Sequence, residues 1–433
     1  RGVQRDADAS CIDIDQAGGG DIGVDTALQA GHRHVRRAAH MRPGRFMAKN
    51  DRVGLRAVQQ TQTDPGIGGV EQRSLPFDDI PVIGVIIGRQ PFGRARNEIG
   101  EKAVLLGHHY QRDDVIEFVD FTGDSYKLSK MAAAAKDAKW IIFCGVHFMA
   151  ETANILSEPH QKVILPNITA GCSMADMAQI DDVMDCWDDL ERVLGDKGGV
   201  VPVTYMNSTA AIKALCGRNN GIVCTSSNAP ATFDWAFERG QRVLFLPDQH
   251  LGRNTALKMG IGVDEMVVWN PFKELGGHTE EELINAKMIL WQGHCSGHTR
   301  FTVDQIEKAR ETYPDIHVVV HPECTMEVVN AADSHGSTEY ILKTISEAPA
   351  GSKFAVGTEV SLVNRIAAEN PDKTVFCLDP VVCPCSTMYR IHPAYLSWVL
   401  DGLNEGVVVN EITVPDDIAE QAKIALDRML AIV

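Results

Sequence analysis

Residues 103–119 read AVLLGHHYQRDDVIEFV: an aliphatic run, the polar triplet His108-His109-Tyr110, then apolar residues at helical spacing. The expected structure is a buried strand, a polar turn at its carboxyl end and an amphipathic helix. The same order returns twice. VPVTYMNSTAAIKAL (201–215) carries the triplet Tyr205-Met206-Asn207, and HVVVHPECTMEVVNAA (317–332) carries His321-Pro322-Glu323. A repeat on this scale is the first thing to settle in a long chain, because it fixes how the rest is divided.

Each segment is followed by a hydroxyl in a small-residue turn ahead of another helix. These are Ser125 in TGDSYKLS (122–129), Ser226 in CTSSNAP (224–230) and Thr338 in HGSTEYI (335–341). A third strand and helix come next, in IIFCGVHFMAETANIL (141–156), VLFLPDQHLGRNTAL (243–257) and FAVGTEVSLVNRIAA (354–368). A fourth strand then runs into a cysteine, in VILPNITAGC (163–172), MILWQGHC (288–295) and VFCLDPVVCPC (375–385). His108 to Ser125 and His321 to Thr338 are both 17 residues, and His108 to Cys172 and His321 to Cys385 are both 64. The middle unit is longer, at 21 and 90, with extra residues around WNPFKELGGHTEEELINAK (269–287).

The repeat predicts an α/β protein of three pseudo-equivalent αβα sandwich domains, each with a four-stranded parallel sheet, around a central active site. The domains are expected at 96–196, 197–298 and 299–386, with 387–433 a C-terminal helical segment that packs back on the core. Ligands of open α/β sheets bind outside the carboxyl ends of the strands, where helix N-termini also point. Three such edges facing one centre would bring the triplets, hydroxyls and cysteines together.

Residues 1–95 read differently. They are rich in Gly, Arg and Gln, contain Lys49 as their only lysine, and are broken by polar stretches such as DQAGGGDIGVD and QQTQTDPGIGG. A poorly ordered extension is expected there. The chain starts at Arg1 rather than Met, which leads us to expect either a further upstream segment or a start assigned elsewhere.

The chain has 433 residues, 44% of them hydrophobic, enough to bury a substantial core. Its net charge of −17 argues against a nucleic-acid or anionic-membrane partner, since phosphate backbones are recognised through clustered Lys and Arg. No apolar run reaches the roughly 18 residues of a membrane span, and no secretory signal is read at the start, so a cytoplasmic location is expected. There the 11 cysteines should be thiols rather than disulfides.

No CxxC pair occurs, so neither zinc-ribbon nor ferredoxin spacing is present. Cys172, Cys295 and Cys385 recur at equivalent places, and three thiolates from separate domains suit a [4Fe-4S] cluster with one open iron. Cys383 rivals Cys385 by spacing. Cys144, Cys186, Cys216, Cys224, Cys324 and Cys377 read as packing residues. A non-catalytic electron-transfer or sensing protein is one alternative, and full thiolate ligation would mark it. A zinc hydrolase using His108, His109 and His321 is the other.

The motifs GHHYQ, GDS, FMAET, AGCSMAD, YMNS, CTSSNA, PDQHLGRN, WQGHCSGH, HPEC, GST, GTE and CSTM occur in one order between residues 107 and 388. In that order they resemble the A-type quinolinate synthase family, from about Arg96 to the C-terminus. The resemblance implies condensation of iminoaspartate with dihydroxyacetone phosphate to quinolinate, with loss of phosphate and water, in NAD biosynthesis. It also implies functional coupling to an aspartate oxidase or dehydrogenase. It places cluster ligands at Cys172, Cys295 and Cys385, the last three residues before Met388, which demotes Cys383. Substrate contacts fall on His108, Ser125, Tyr205, Asn207, Ser226, His321, Pro322, Glu323 and Thr338, and Tyr110 is a catalytic tyrosine. Gly297 departs from the aliphatic residue usual in its loop. Ring closure moves protons at several steps, so Glu323 and Tyr110 are the expected acid–base groups; His108, also counted as catalytic, is expected with His321 to hydrogen-bond substrate oxyanions.

Overall fold

The computed structural model describes residues 89–195, 199–379, 381 and 384–432. The expected extension therefore lies outside the described residues up to position 88, as does Cys383. A helix, Arg89–Ile99, crosses the expected limit at residue 95. It buries Ala95 and Ile99, while Arg96 reaches Asp120 at 2.7 Å.

Among the described residues, fourteen strands build three sheets. The first holds β1 (Ala103–His108), β2 (Phe121–Gly123), β3 (Trp140–Cys144) and β4 (Lys162–Ile164). The second holds β5 (Val200–Tyr205), β6 (Ile222–Cys224), β7 (Arg242–Leu246), β8 (Met266–Trp269) and β9 (Met288–Trp291). The third holds β10 (His317–Val320), β11 (Ser334–His335), β12 (Lys353–Gly357) and β13 (Thr374–Cys377). The last strand, β14 (Glu411–Ile412), returns to the edge of the first sheet and runs antiparallel to β4.

The spatial orders are β14-β4-β3-β1-β2, β6-β5-β7-β9-β8 and β11-β10-β12-β13. Setting aside β8 and β14, each sheet has its second strand outermost, then the first, third and fourth, all parallel. The threefold repeat is thus a repeat of topology. In this order the chain turns to one side after the first strand and crosses to the other before the third. Each triplet sits at that switch point, where the diverging loops leave a crevice.

Two departures from four strands per sheet are found. β8 belongs to the extra residues of the middle unit, and its partner is the β9 strand that leads to Cys295. β14 lies within the C-terminal helical segment, between its helices. Two helices flank it, Pro393–Asn404 and Asp416–Ala431. The latter packs so closely on helix Ala210–Arg218 that a Cβ on Gly217 would meet the Gln421 carbonyl oxygen at 1.9 Å.

The strand sequences explain the burial. β1, β3 and β9 are buried along their whole length, as continuous aliphatic runs in a sheet covered on both faces must be. No helix among the described residues is long and apolar enough to cross a membrane.

Candidate active site

The three triplets face one cavity. His108 and Tyr110 line it from the first sheet, Tyr205 and Asn207 from the second, and His321 and Glu323 from the third. Ser125, Ser226 and Thr338 line it too, as do Cys172, Cys295 and Cys385. Pro322 does not. Its carbonyl accepts from Asn254 Nδ2 at 2.8 Å, and the residue spaces His321 from Glu323.

The hydroxyls are not helix caps. Ser125 is the first residue of helix Ser125–Ala134, and Asp124 caps it by accepting from the Lys127 amide. Thr338 likewise opens helix Thr338–Ser346, and Ser337 caps it. Thr338 Oγ1 is buried without a partner, and so is Asn207 Oδ1. Buried polar atoms are ordinarily satisfied, so these two in a cavity wall mark places for a polar ligand.

His108 and His321 are held alike. The Tyr110 amide donates to His108 Nδ1 at 3.1 Å, and the Glu323 amide donates to His321 Nδ1 at 3.3 Å. Each Nδ1 is therefore an acceptor, which leaves the ring neutral with its proton on Nε2. Burial lowers both rings to a pKa of about 3, aided for His108 by neighbouring His109 and opposed for His321 by Glu323. The pair are fixed neutral donors. The 3.9 Å approach of His321 Nδ1 to Glu323 is no ion pair, because that nitrogen already accepts the amide.

Glu323 is buried. Burial resists its ionisation, but His298 and hydrogen bonds from His298 and Tyr205 together hold it below the usual carboxylate range. Tyr205 Oη donates to Glu323 Oε1 at 2.7 Å, and His298 Nδ1 lies 2.8 Å from Oε2. Tyr110 goes the other way: burial first, then the Glu323 charge, push its phenol well above 10. The site thus sets an ionised carboxylate against a neutral phenol.

His298 was not among the residues singled out from the sequence. Its Nδ1 is 3.1 Å from Cys295 Sγ, and its Nε2 is 3.2 Å from Thr358 Oγ1 and 3.5 Å from Tyr110 Oη. Tyr110 Oη and Thr358 Oγ1 are 2.8 Å apart. One imidazole therefore joins Tyr110 and Thr358 on one side to Glu323 and Cys295 on the other. The signal was present in WQGHCSGH and GTE, but the equivalent positions of the other units carry unlike residues, Ala175 and Met388 for His298 and Gly145 and Pro247 for Thr358.

His109 turns away from the cavity. Its Nε2 is 2.9 Å from Glu339 Oε1, so His108, His109 and His321 do not form a ligand set. Cys295, His298 and Glu323 offer donor atoms within 4.8 Å of one another, a metal-capable group among the described residues.

Cys172, Cys295 and Cys385 also line a second cavity and stand between it and the first. Burial pushes Cys172 up to about 12 and Cys295 well above 9; Cys385 adds to both shifts, and Cys172 to that of Cys295. Three thiols gathered at a junction of cavities fit a cationic centre, which would favour their thiolate forms. The cysteines read as packing residues behave so: Cys144, Cys186, Cys216, Cys224 and Cys324 are buried, and the half-buried Cys377 thiol lies 3.8 Å from the Thr358 carbonyl.

Comparison with known proteins agrees with this geometry. A curated quinolinate synthase of Corynebacterium glutamicum is 61% identical over 339 residues, covering 78% of this chain and 86% of the relative. Those of Acidobacterium capsulatum and Herpetosiphon aurantiacus are 57% and 55% identical, over 78% and 79% of this chain and 91% and 92% of their own lengths. The family described as "Quinolinate synthetase A protein" matches residues 93–431, the span that contains all three sheets, and the chain belongs to that family.

Proposed function

We propose that this protein is a quinolinate synthase of NAD biosynthesis, joining iminoaspartate to dihydroxyacetone phosphate and releasing phosphate and two waters. The observation that carries the reading is the meeting of three strand-end triplets and three cysteines at one cavity. The relatives' names and the family match support the same activity.

Cys172, Cys295 and Cys385 would hold a [4Fe-4S] cluster, which supplies Lewis acidity at an iron that no protein group ligates. The chain's own residues do the rest. Glu323, ionised and gripped by Tyr205 and His298, removes a proton from carbon next to a carbonyl. Tyr110, kept as a neutral phenol, gives a proton to a departing hydroxyl. It is resupplied through Thr358 and His298, which reach Glu323 in a continuous line of polar atoms.

His108 and His321 donate from Nε2 to developing oxyanions without changing charge, the preorganised arrangement that stabilises a transition state best. Ser125 and Thr338 open helices of 10 and 9 residues, so their hydroxyls and the adjoining amides suit the phosphate and carboxylates. Asn207 and Ser226 complete the polar lining. The reading extends to a cytoplasmic enzyme supplied with its unstable imine by an aspartate oxidase or dehydrogenase.

The test is direct. Anaerobically prepared protein, given dihydroxyacetone phosphate and an imine formed in place from oxaloacetate and ammonia, should yield quinolinate by chromatography. A preparation with about four irons and four sulfides per chain that makes none refutes the assignment.

A further inference from the structure

A polar side chain from another unit grips the backbone at or just beyond each triplet loop. Arg365, on helix Val360–Glu369 of the third unit, donates to the His109 carbonyl at 3.0 Å and the Gln111 carbonyl at 2.5 Å, on either side of Tyr110. It also meets Asp113 at 2.7 Å. Asn254, on helix Gln249–Lys258 of the second unit, donates to the Pro322 and Cys324 carbonyls at 2.8 and 2.9 Å, on either side of Glu323. Glu151, on helix His147–Leu156 of the first unit, accepts from the Ala210 amide at 3.0 Å, just beyond Asn207.

The three gripping residues occupy almost the same place in the repeat. Each lies on the helix after the third strand, seven residues beyond the end of β3 for Glu151 and eight beyond β7 and β12 for Asn254 and Arg365. The order is cyclic: first unit onto second, second onto third, third onto first. In the second unit the grip is doubled, because buried Lys213 donates to the Ser208 carbonyl from beneath the same loop.

We propose that Arg365, Asn254 and Glu151 are positioning residues that close a ring, each fixing the catalytic triplet of the next unit. None of the three lines the cavity itself. Their reach is through backbone: Arg365 sets the loop that aims Tyr110 at Thr358, and Asn254 sets the loop that aims Glu323 between Tyr205 and His298. A misplacement of about 1 Å at a reacting group costs on the order of 100-fold, so the ring is worth that much in kcat without contributing a reacting atom. The proposal rests on the reaction assigned above for its catalytic consequence, but not for its structural one.

Two readouts test it. Hydrogen–deuterium exchange of the substrate-free protein with its cluster should show faster exchange confined to the loop around 108–112 in Arg365→Ala, and to that around 321–325 in Asn254→Ala. Faster exchange spread over all three loops, or over none, overturns the ring. In turnover, Arg365→Ala should lose about 100-fold in kcat with little change in either KM and an unchanged iron content. Free guanidinium should restore a large part of the loss, because the side chain it replaces is 13% exposed. A kcat within about threefold of the parent, or a loss that guanidinium leaves untouched, overturns the positioning role. If Arg365→Ala does not fold, Asn254→Ala carries both readouts, and an acid limb of its pH–kcat profile unmoved from the parent's is the refuting result. A parent protein that makes no quinolinate, yet whose variants show loop-specific exchange, defeats the reaction and leaves the ring standing.

Discussion

Replacing Glu323 by Gln isolates charge from shape at the centre of the site. The carboxylate accepts from Tyr205 Oη at 2.7 Å and faces His298 Nδ1 at 2.8 Å, with the side chain only 4% exposed. Gln keeps the volume and one acceptor, so Tyr205 keeps its partner. Its NH₂ group then confronts His298 Nδ1, which must become an acceptor and carry its proton on Nε2 instead, toward Thr358 and Tyr110. Two charge-assisted hydrogen bonds become neutral ones, a loss of about 1–3 kcal/mol, partly offset because a charge no longer has to be buried. Stability should therefore change little. Catalysis should change greatly: loss of a general base lowers kcat by roughly 10²–10⁴-fold, and the relay now meets a tautomer that points the wrong way. Steady-state quinolinate formation, with iron and sulfide measured on the same preparation, decides the matter. A kcat within about threefold of the parent at full iron content would refute the base assignment, and activity lost together with iron would show that Glu323 serves the cluster site instead.

Cys172→Ala should fail to retain about four irons per chain, whereas Cys144→Ala, at a fully buried position in β3, should keep them at a stability cost of about 1 kcal/mol; iron analysis of both proteins is the check. The folded state refuses protons at His108 and His321, whose pKa is lowered to about 3, while the unfolded chain accepts them near 6.5. Below pH 6.5 the unfolded state binds more protons, so stability should fall with pH by up to about 2.7 kcal/mol per unit for the two rings, until they protonate near 3. Urea midpoints of the cluster-free protein at pH 7 and 5 would show it, and His321→Gln should flatten the dependence. Glu323 acts in the same direction lower down: its depressed folded pKa stabilises above the ordinary carboxylate value and is lost as pH falls through the folded one. Gly217→Ala should lower thermal stability by about 1–3 kcal/mol, since its Cβ would strike the Gln421 carbonyl; limited proteolysis should then release helix Asp416–Ala431 first.

The sequence made the threefold plan legible because each unit writes it in two alphabets at once. Aliphatic runs such as VVV before His321 mark the strands, and polar residues at the strand ends mark the cavity wall. Equal spacing in the first and third units did what no single motif could. β8 and β14 escaped for physical reasons. β14 is two residues long and gains its identity only from pairing with β4, and MVVW of β8 stands in an insertion that the other units lack. His298, Thr358 and the gripping residues escaped because their meaning is a distance across units. Arg365 is an ordinary charged residue on an amphipathic helix until the His109 and Gln111 carbonyls are seen beside it. Pro322 shows the converse: a place in a triplet did not make it part of the wall.

The antiparallel pairing of β14 with β4 has a consequence for how the protein is made. Ile412 lies opposite Val163 and Glu411 opposite Ile164, with Glu411 Oε2 bonded to Lys162 Nζ at 2.7 Å. On the ribosome, the edge of β4 waits for some 250 residues of synthesis before its cover arrives, at a rate of about 5–20 residues per second. For that interval of tens of seconds the nascent first sheet offers an unpaired edge, the kind of surface on which chains aggregate. Its three-residue length limits the hazard, and a chain that stops short of residue 411 would carry it permanently.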